Sequence, residues 1–108
     1  ISGAVLNDRK IMASEGILVV IINLNMETRK ILAKPMVTTR GFILINENEE
    51  LIKKIEDISE KVILKKLEDK KLTYTDIKLE VTKELNNFIK EETGRKPIVL
   101  PIILNIKK

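Results

Sequence analysis

The chain has 108 residues, of which 44% are hydrophobic and 33% charged, and it carries a net charge of +4. This length suits one domain with a core of its own. The core must be aliphatic, because the chain has only two Phe, one Tyr and no Trp. Cysteine and histidine are absent, which excludes disulfides, thiol chemistry and imidazole as a general base or metal ligand. There is no signal-peptide pattern and no apolar run long enough to cross a membrane, so we expect a cytoplasmic protein without a membrane partner.

Residues 1–15 are predicted to be a leading segment at the end of a linker, and residues 16–108 to form an α+β domain. The chain starts with Ile rather than Met, so we expect it to be a piece of a longer protein. Residues 16–25 are rich in Ile, Val and Leu, which favours a strand. A continuous apolar run of this length predicts a strand covered on both faces, or one whose second face is covered by a partner.

Residues 25–28 predict a hairpin turn, followed by a return strand over residues 29–39. Pro35 lies inside that strand and predicts an edge position, a bulge or a break. Arg40-Gly41 is expected to kink the chain before it resumes an extended course at residues 42–45.

Two amphipathic helices are predicted next. The first begins near Asn46 or Asn48, either of which can cap it, with a cluster of Glu at the positive end of the helix dipole. The second begins with Thr73 or Thr75 as its cap and ends at Gly94, a residue suited to the left-handed position after a helix. Their predicted buried stripes are Leu51, Ile52, Ile55, Ile58, Val62, Ile63 and Leu67 in the first helix, and Ile77, Val81, Leu85, Phe88 and Ile89 in the second.

A last strand is predicted over residues 97–106, where Pro101 indicates an edge position or a bulge. The element order is therefore β-β-α-α-β. Because each helix must bury its apolar stripe, we predict an α+β fold in which a small three-stranded mixed sheet is packed on two α-helices. The last strand must cross back to join the first two.

No catalytic constellation can be assembled from these residues. The acidic residues cluster in helical stretches interleaved with Lys, which is typical of solvated helix faces. The serines have no histidine to activate them, and no glycine-rich phosphate loop is present. We therefore expect no catalytic residue, no metal site and no cofactor in this chain.

Five basic residues lie in or beside predicted turns: Arg9, Lys10, Arg40, Arg95 and Lys96. Residues 47–92 have a net charge of −3, whereas the rest of the chain has +7. Loop Arg and Lys side chains in such a segment are candidates for contact with phosphates or with a protein partner. The alternative is that they cap helix ends, pair with acids or solubilise loops.

The strands carry more aliphatic surface than two helices can cover. Such a surplus on a small sheet favours either subunit pairing or coverage by another domain of a longer protein, and the sequence leaves both open. The candidate interface residues alternate along the first and last strands: Ile17, Val19, Ile21, Ile98, Leu100 and Ile102.

Three segments carry a family resemblance. Residues 3–10 (GAVLNDRK), residues 39–42 (TRGF) and residues 93–101 (TGRKPIVLP) resemble, in this order and spacing, the C-terminal region of the ribonuclease J proteins, which are RNases with a metallo-β-lactamase (β-CASP) fold. Asn7 departs from that pattern, in which Arg is usual at this position.

The resemblance implies a longer protein that is a hydrolase with two zinc ions and 5′-to-3′ exonuclease and endonuclease activity in RNA processing and degradation. Its catalytic and metal-binding residues lie upstream, and no position of this chain matches them. The resemblance further implies a C-terminal domain that serves dimer or tetramer assembly, homo- or hetero-oligomeric, and supports the catalytic core of an RNA-binding protein. The alternative function is an RNA-binding accessory module that contacts phosphates through loop Arg and Lys.

Overall fold

A computed structural model of the protein describes residues 16–41 and 49–106. The predicted leading segment, the extended stretch at 42–45 and the Asn caps of the first helix lie outside these residues. The elements in chain order are β1 (Ile17–Asn25), β2 (Lys30–Ile31), β3 (Met36–Arg40), α1 (Glu49–Lys66), α2 (Tyr74–Thr93) and β4 (Ile98–Asn105).

The sheet is mixed and is organised around β1. Strands β2 and β3 pair with β1 in antiparallel orientation, β2 opposite Leu24 and Asn25 and β3 opposite residues 17–21. Strand β4 pairs with β1 in parallel along residues 17–24 and therefore lies on its other side. The predicted α+β architecture and element order are confirmed. The return strand is divided into β2 and β3 by residues 32–35, so that four strands occupy three lateral positions.

The turn after β1 is stabilised by two asparagine side chains. The Oδ1 of the buried Asn25 accepts hydrogen bonds from the backbone N–H groups of Glu27 and Thr28 at 2.9 and 3.1 Å, as Asn does in many turns. The Oδ1 of Asn105, near the end of β4, accepts one from the N–H of Met26 at 2.9 Å. The hairpin turn is thus tied both to its own strand and to the neighbouring one.

The core lies between one face of the sheet and the two helices. Alternate residues of β1 are fully buried on that face, as the period of two in a strand dictates. Among residues 16–41 and 49–106, the buried hydrophobic residues are all aliphatic: Leu18, Val20, Ile22, Leu24, Leu51, Ile55, Ile63, Leu67, Ile77, Val81, Leu85, Ile89 and Val99.

The helices match the predicted stripes with one exception. In α1 the buried row is Leu51, Ile55, Ser59 and Ile63. The predicted stripe contained Ile58 and Val62 on either side of Ser59, but not the serine itself. The Ser59 hydroxyl is fully buried and donates to the carbonyl of Ile55 at 2.8 Å, which satisfies it within its own helix.

Both predicted caps of α2 are confirmed. The Thr73 side chain accepts a hydrogen bond from the Asp76 N–H at 3.1 Å. Gly94 adopts the left-handed conformation with φ 73°, and its N–H donates to the Lys90 carbonyl at 2.8 Å.

Candidate functional site

The outer face of the sheet, on the side away from the helices, contains all six predicted interface residues. The parallel register places Ile17 beside Ile98, Val19 beside Leu100 and Ile21 beside Ile102. Because strand residues alternate between faces and Leu18, Val20 and Ile22 point into the core, these pairs share the opposite face. The structure therefore brings together residues that are about 80 positions apart in the chain.

Three further apolar residues extend this face. Leu104 and Ile106 continue the alternation of β4, and Met36 lies across from Ile21 on β3. Leu100 and Ile102 are 44% exposed and Met36 is 59% exposed. The period of two along β4 is sufficient to place Leu104 and Ile106 on the same face as Leu100 and Ile102. The position of Met36 on this face is known only from the antiparallel register of β3 with β1.

The outer face is not covered by any described residue, since both described helices pack on the opposite face. Apolar residues scattered singly on a surface are ordinary, but a contiguous apolar sheet face is a feature that proteins usually cover. The β3 side of the same face is more polar, with Thr38 and Arg40 facing Val19 and Ile17. The apolar patch is therefore displaced toward β1 and β4.

Strand β4 forms one edge of the sheet within the described residues, as Pro101 predicted. The N–H of Ile98 donates to Gly16 and the N–H of Ile106 donates to Leu24, both at 2.9 Å. The register between these two bonds is continuous, so there is no bulge, and the backbone N–H groups of the even-numbered residues of β4 point toward β1. The nitrogen of Pro101 consequently points away from β1, and no ladder bond is lost to the proline.

The predicted basic residues are partly brought together. Arg9 and Lys10 lie outside the described residues. Arg40 lies opposite Ile17 on one side of β1, while Arg95 and Lys96 lead into Ile98 on the other side. Arg40, Arg95 and Lys96 therefore lie at the same end of the sheet, and all three are exposed.

Arg29 is a cation with a structural role, which the sequence did not reveal. Its guanidinium donates to the carbonyls of Leu67, Asp69 and Lys70, with the first at 3.2 Å and the last at 3.0 Å. These carbonyls follow the C-terminal end of α1, where a cation complements the helix dipole. Arg29 thus fastens the β1–β2 turn to α1, and its role is structural.

In the described part of the chain, an ion pair connects the segment between β2 and β3 to α1. Lys34 Nζ lies 2.7 Å from Asp57 Oδ1. Their hydrogen bond lowers the pKa of the Asp57 carboxyl below 3.8 and raises the pKa of the Lys34 ammonium above 10.5. The two side chains are about half exposed, at 45% for Lys34 and 51% for Asp57, so solvent screens the pair and it contributes little to stability.

Charge is segregated between the two layers. The described residues of the sheet and its turns, 16–41 and 94–106, have a net charge of +5, whereas residues 49–93 have −2. Arg29 and Lys34 are engaged by α1. The remaining cations of the sheet layer are the ones available to an anionic partner.

Among residues 16–41 and 49–106, no group of three or more Asp, Glu, His or Cys could hold a metal ion. Neither described helix combines the length and apolar character needed to cross a bilayer. The fold and its surface thus define a small α+β domain, and its most distinctive feature is an apolar sheet face that none of the described residues covers.

Comparison with known proteins identifies the family. The ribonuclease J C-terminal domain family matches residues 4–106, so the chain belongs to this family. The resemblance inferred from its sequence motifs is thereby confirmed.

Relatives of known name agree with this assignment. The chain is 31% identical over 106 residues to Ribonuclease J 2 of Staphylococcus epidermidis and to Ribonuclease J2 of Bacillus subtilis. It is 28% identical to Ribonuclease J 2 of Staphylococcus aureus. Each match covers 98% of this chain but 19% of the relative, so the chain spans about a fifth of the length of these proteins.

Proposed function

We propose that this domain is the non-catalytic C-terminal part of a ribonuclease J and that its outer sheet face serves subunit assembly and supports the catalytic core. The observation that carries the proposal is the contiguous apolar face formed by β1 and β4. The family to which the chain belongs supplies the context, because the named relatives are ribonucleases about five times as long.

The size of the face indicates what kind of contact it makes. Two strand positions, β1 and β4, and a length of seven residues correspond to a footprint of about 200 Å². A stable protein–protein interface buries about 800 Å² on each partner. The face therefore supplies the apolar centre of a larger contact, whose polar rim comes from the rest of a longer polypeptide or from a second subunit.

The assembly proposal is tested by sedimentation of the chain over a wide concentration range. Leu100→Lys combined with Ile102→Lys places two charges on the outer face, and Leu64→Lys combined with Leu79→Lys does the same on the exposed helix surface, where these leucines are 50% and 64% exposed. We expect self-association, or binding to a ribonuclease J core added in trans, to be lost only in the first variant. A strict monomer without affinity for such a core contradicts the proposal.

Catalysis belongs, on this proposal, to upstream domains that hold two zinc ions and hydrolyse RNA in the cytoplasm. The lack of histidine and cysteine in the whole chain supports this division of labour. Purified chain incubated with RNA and divalent metal tests the point. Metal-dependent cleavage by the chain alone overturns it.

RNA binding is the second candidate function. The charge of +5 on the sheet layer and the grouping of Arg40, Arg95 and Lys96 at one end favour it. The near absence of aromatic residues argues against base stacking, so any binding must depend on phosphates and fall steeply with salt. Replacing Arg40, Arg95 and Lys96 together should abolish retention of single-stranded RNA, and unchanged retention rules out these contacts.

A further inference from the structure

A cleft opens where α2 ends and β4 begins. It has a volume of about 390 Å³ and is lined by Asn86, Asn87, Lys90, Lys96, Pro97 and Ile98. Two ammonium groups and two carboxamides line the same recess, beside the apolar surface of Pro97 and Ile98. No carboxylate is among its lining residues.

The four polar side chains are free to bind a ligand. Within the described part of the chain, none of them takes part in a hydrogen bond or an ion pair. Two carbonyls near the end of α2 accept hydrogen bonds from other groups, because the Gly94 N–H donates to Lys90 and the Thr93 hydroxyl donates to Ile89 at 2.7 Å. Lys90 and Lys96 are therefore not used as C-terminal caps.

The chemistry of the lining fits a nucleotide. Ammonium groups bind phosphate as point charges. Carboxamides offer donors and acceptors together, which suits base edges and ribose hydroxyls rather than phosphate alone. A recess of this volume is at the lower end of the range seen for small-ligand sites and suits a single nucleotide.

We propose that this cleft holds one nucleotide of a single-stranded RNA, with its phosphates at Lys90 and Lys96 and its base or ribose at Asn86 and Asn87. The proposal rests on the second candidate function, RNA binding, and names a site for it that is separate from the outer sheet face. An acidic protein segment is the competing ligand, because its carboxylates can pair with the two lysines and its backbone with the two carboxamides.

The test is fluorescence anisotropy of the chain with a labelled oligouridylate at several salt concentrations. Each phosphate contact on a single strand contributes about 0.7 to the slope of log affinity against log salt. Lys90→Ala with Lys96→Ala should therefore lower the slope by about 1.4. Asn86→Ala with Asn87→Ala should weaken binding at every salt concentration without changing the slope.

Lys78→Ala with Lys83→Ala is the matched control, because both lysines are exposed on α2 outside the cleft. All six positions are exposed, so the variants should fold, which circular dichroism verifies. An equal loss of slope in the control, or displacement of the RNA by polyglutamate of equal charge, overturns the cleft assignment. If the unmodified chain binds no RNA at low salt, the RNA-binding function itself fails.

Discussion

The contact between Arg29 and the end of α1 leads to a quantitative prediction. Arg29 has φ 56°, a left-handed conformation that costs a non-glycine residue about 1 kcal/mol. Its guanidinium donates to three carbonyls beyond the helix end. The side chain therefore stabilises the fold through its hydrogen bonds while the backbone beneath it is strained.

The two contributions can be separated by substitution. Hydrogen bonds from charged donors contribute about 1.5–3 kcal/mol when buried, but Arg29 is half-buried and two of its contacts are exposed, so we assign the three together about 2 kcal/mol. Arg29→Ala should then destabilise the domain by about 2 kcal/mol, because the strain remains. Arg29→Gly should destabilise it by about 1 kcal/mol, because glycine relieves the strain.

Urea unfolding followed by circular dichroism measures both values, and Arg29→Lys serves as the control that retains the charge without the planar fork. We expect Lys to fall between arginine and alanine in stability. A loss of 2 kcal/mol lowers the midpoint of thermal unfolding by roughly 10 °C in a domain of this size. The reasoning is refuted if Arg29→Ala lies within about 0.5 kcal/mol of the unmodified chain, or if the glycine variant is less stable than the alanine variant.

Three further predictions concern other parts of the fold. Ser59→Ala should change the free energy of unfolding by less than about 1 kcal/mol, since it removes only a hydroxyl that is hydrogen-bonded within its own helix. Ser59→Leu should lower the free energy of unfolding by about 1–3 kcal/mol, because the larger side chain overpacks the core. Equal effects of the two substitutions in urea unfolding contradict this prediction. Pro101→Ala should leave stability nearly unchanged but promote edge-to-edge association, which sedimentation measures. Ile102→Pro should destabilise the sheet, because it removes a backbone N–H that donates to β1. A large stability loss from Pro101→Ala refutes the register between β1 and β4. Because the pKa of Asp57 is lowered, its small contribution to stability is present above pH 3.8 and is lost as pH falls through its pKa in the folded state, whereas the raised pKa of Lys34 makes its contribution present below pH 10.5 and lost at higher pH. The difference in the midpoint of thermal unfolding between the unmodified chain and Asp57→Asn should therefore vanish in strong acid and in strong base. A difference that does not change with pH contradicts the pairing.

Much of the fold could be predicted because its signals are local. Thr73 and Gly94 mark the ends of α2 by their own chemistry, and the period of two in a strand divides the residues of β1 and β4 between two faces, although their continuous apolar runs do not reveal which face is buried. Pro35 and Pro101 indicated a break and an edge, and the structure confirms both. These inferences need only the period of an element or the conformational limits of one residue.

The features that escaped prediction depend on contacts between distant segments. Arg29 gave no signal because its three acceptors lie about 40 residues away. Ser59 is buried because it lies in the same row of α1 as Ile55 and Ile63, and that row packs into the core, which an apolar count cannot reveal. In the sequence, Asn86 and Lys90 are indistinguishable from residues of an ordinary solvated helix face. Only the turn after Gly94 brings residues 96–98 beside them and forms the cleft.

The opposite charges of the two layers give the domain a permanent electric moment that points from the helices toward the sheet. In the field of a polyanion such a molecule experiences a torque as well as an attraction. It therefore rotates during its approach so that the cationic side leads before any atoms touch. Encounter with a nucleic acid should accordingly be faster and more uniform in orientation at low ionic strength than for a domain whose +4 charge is evenly spread, and salt should remove this advantage within a screening length of about 10 Å.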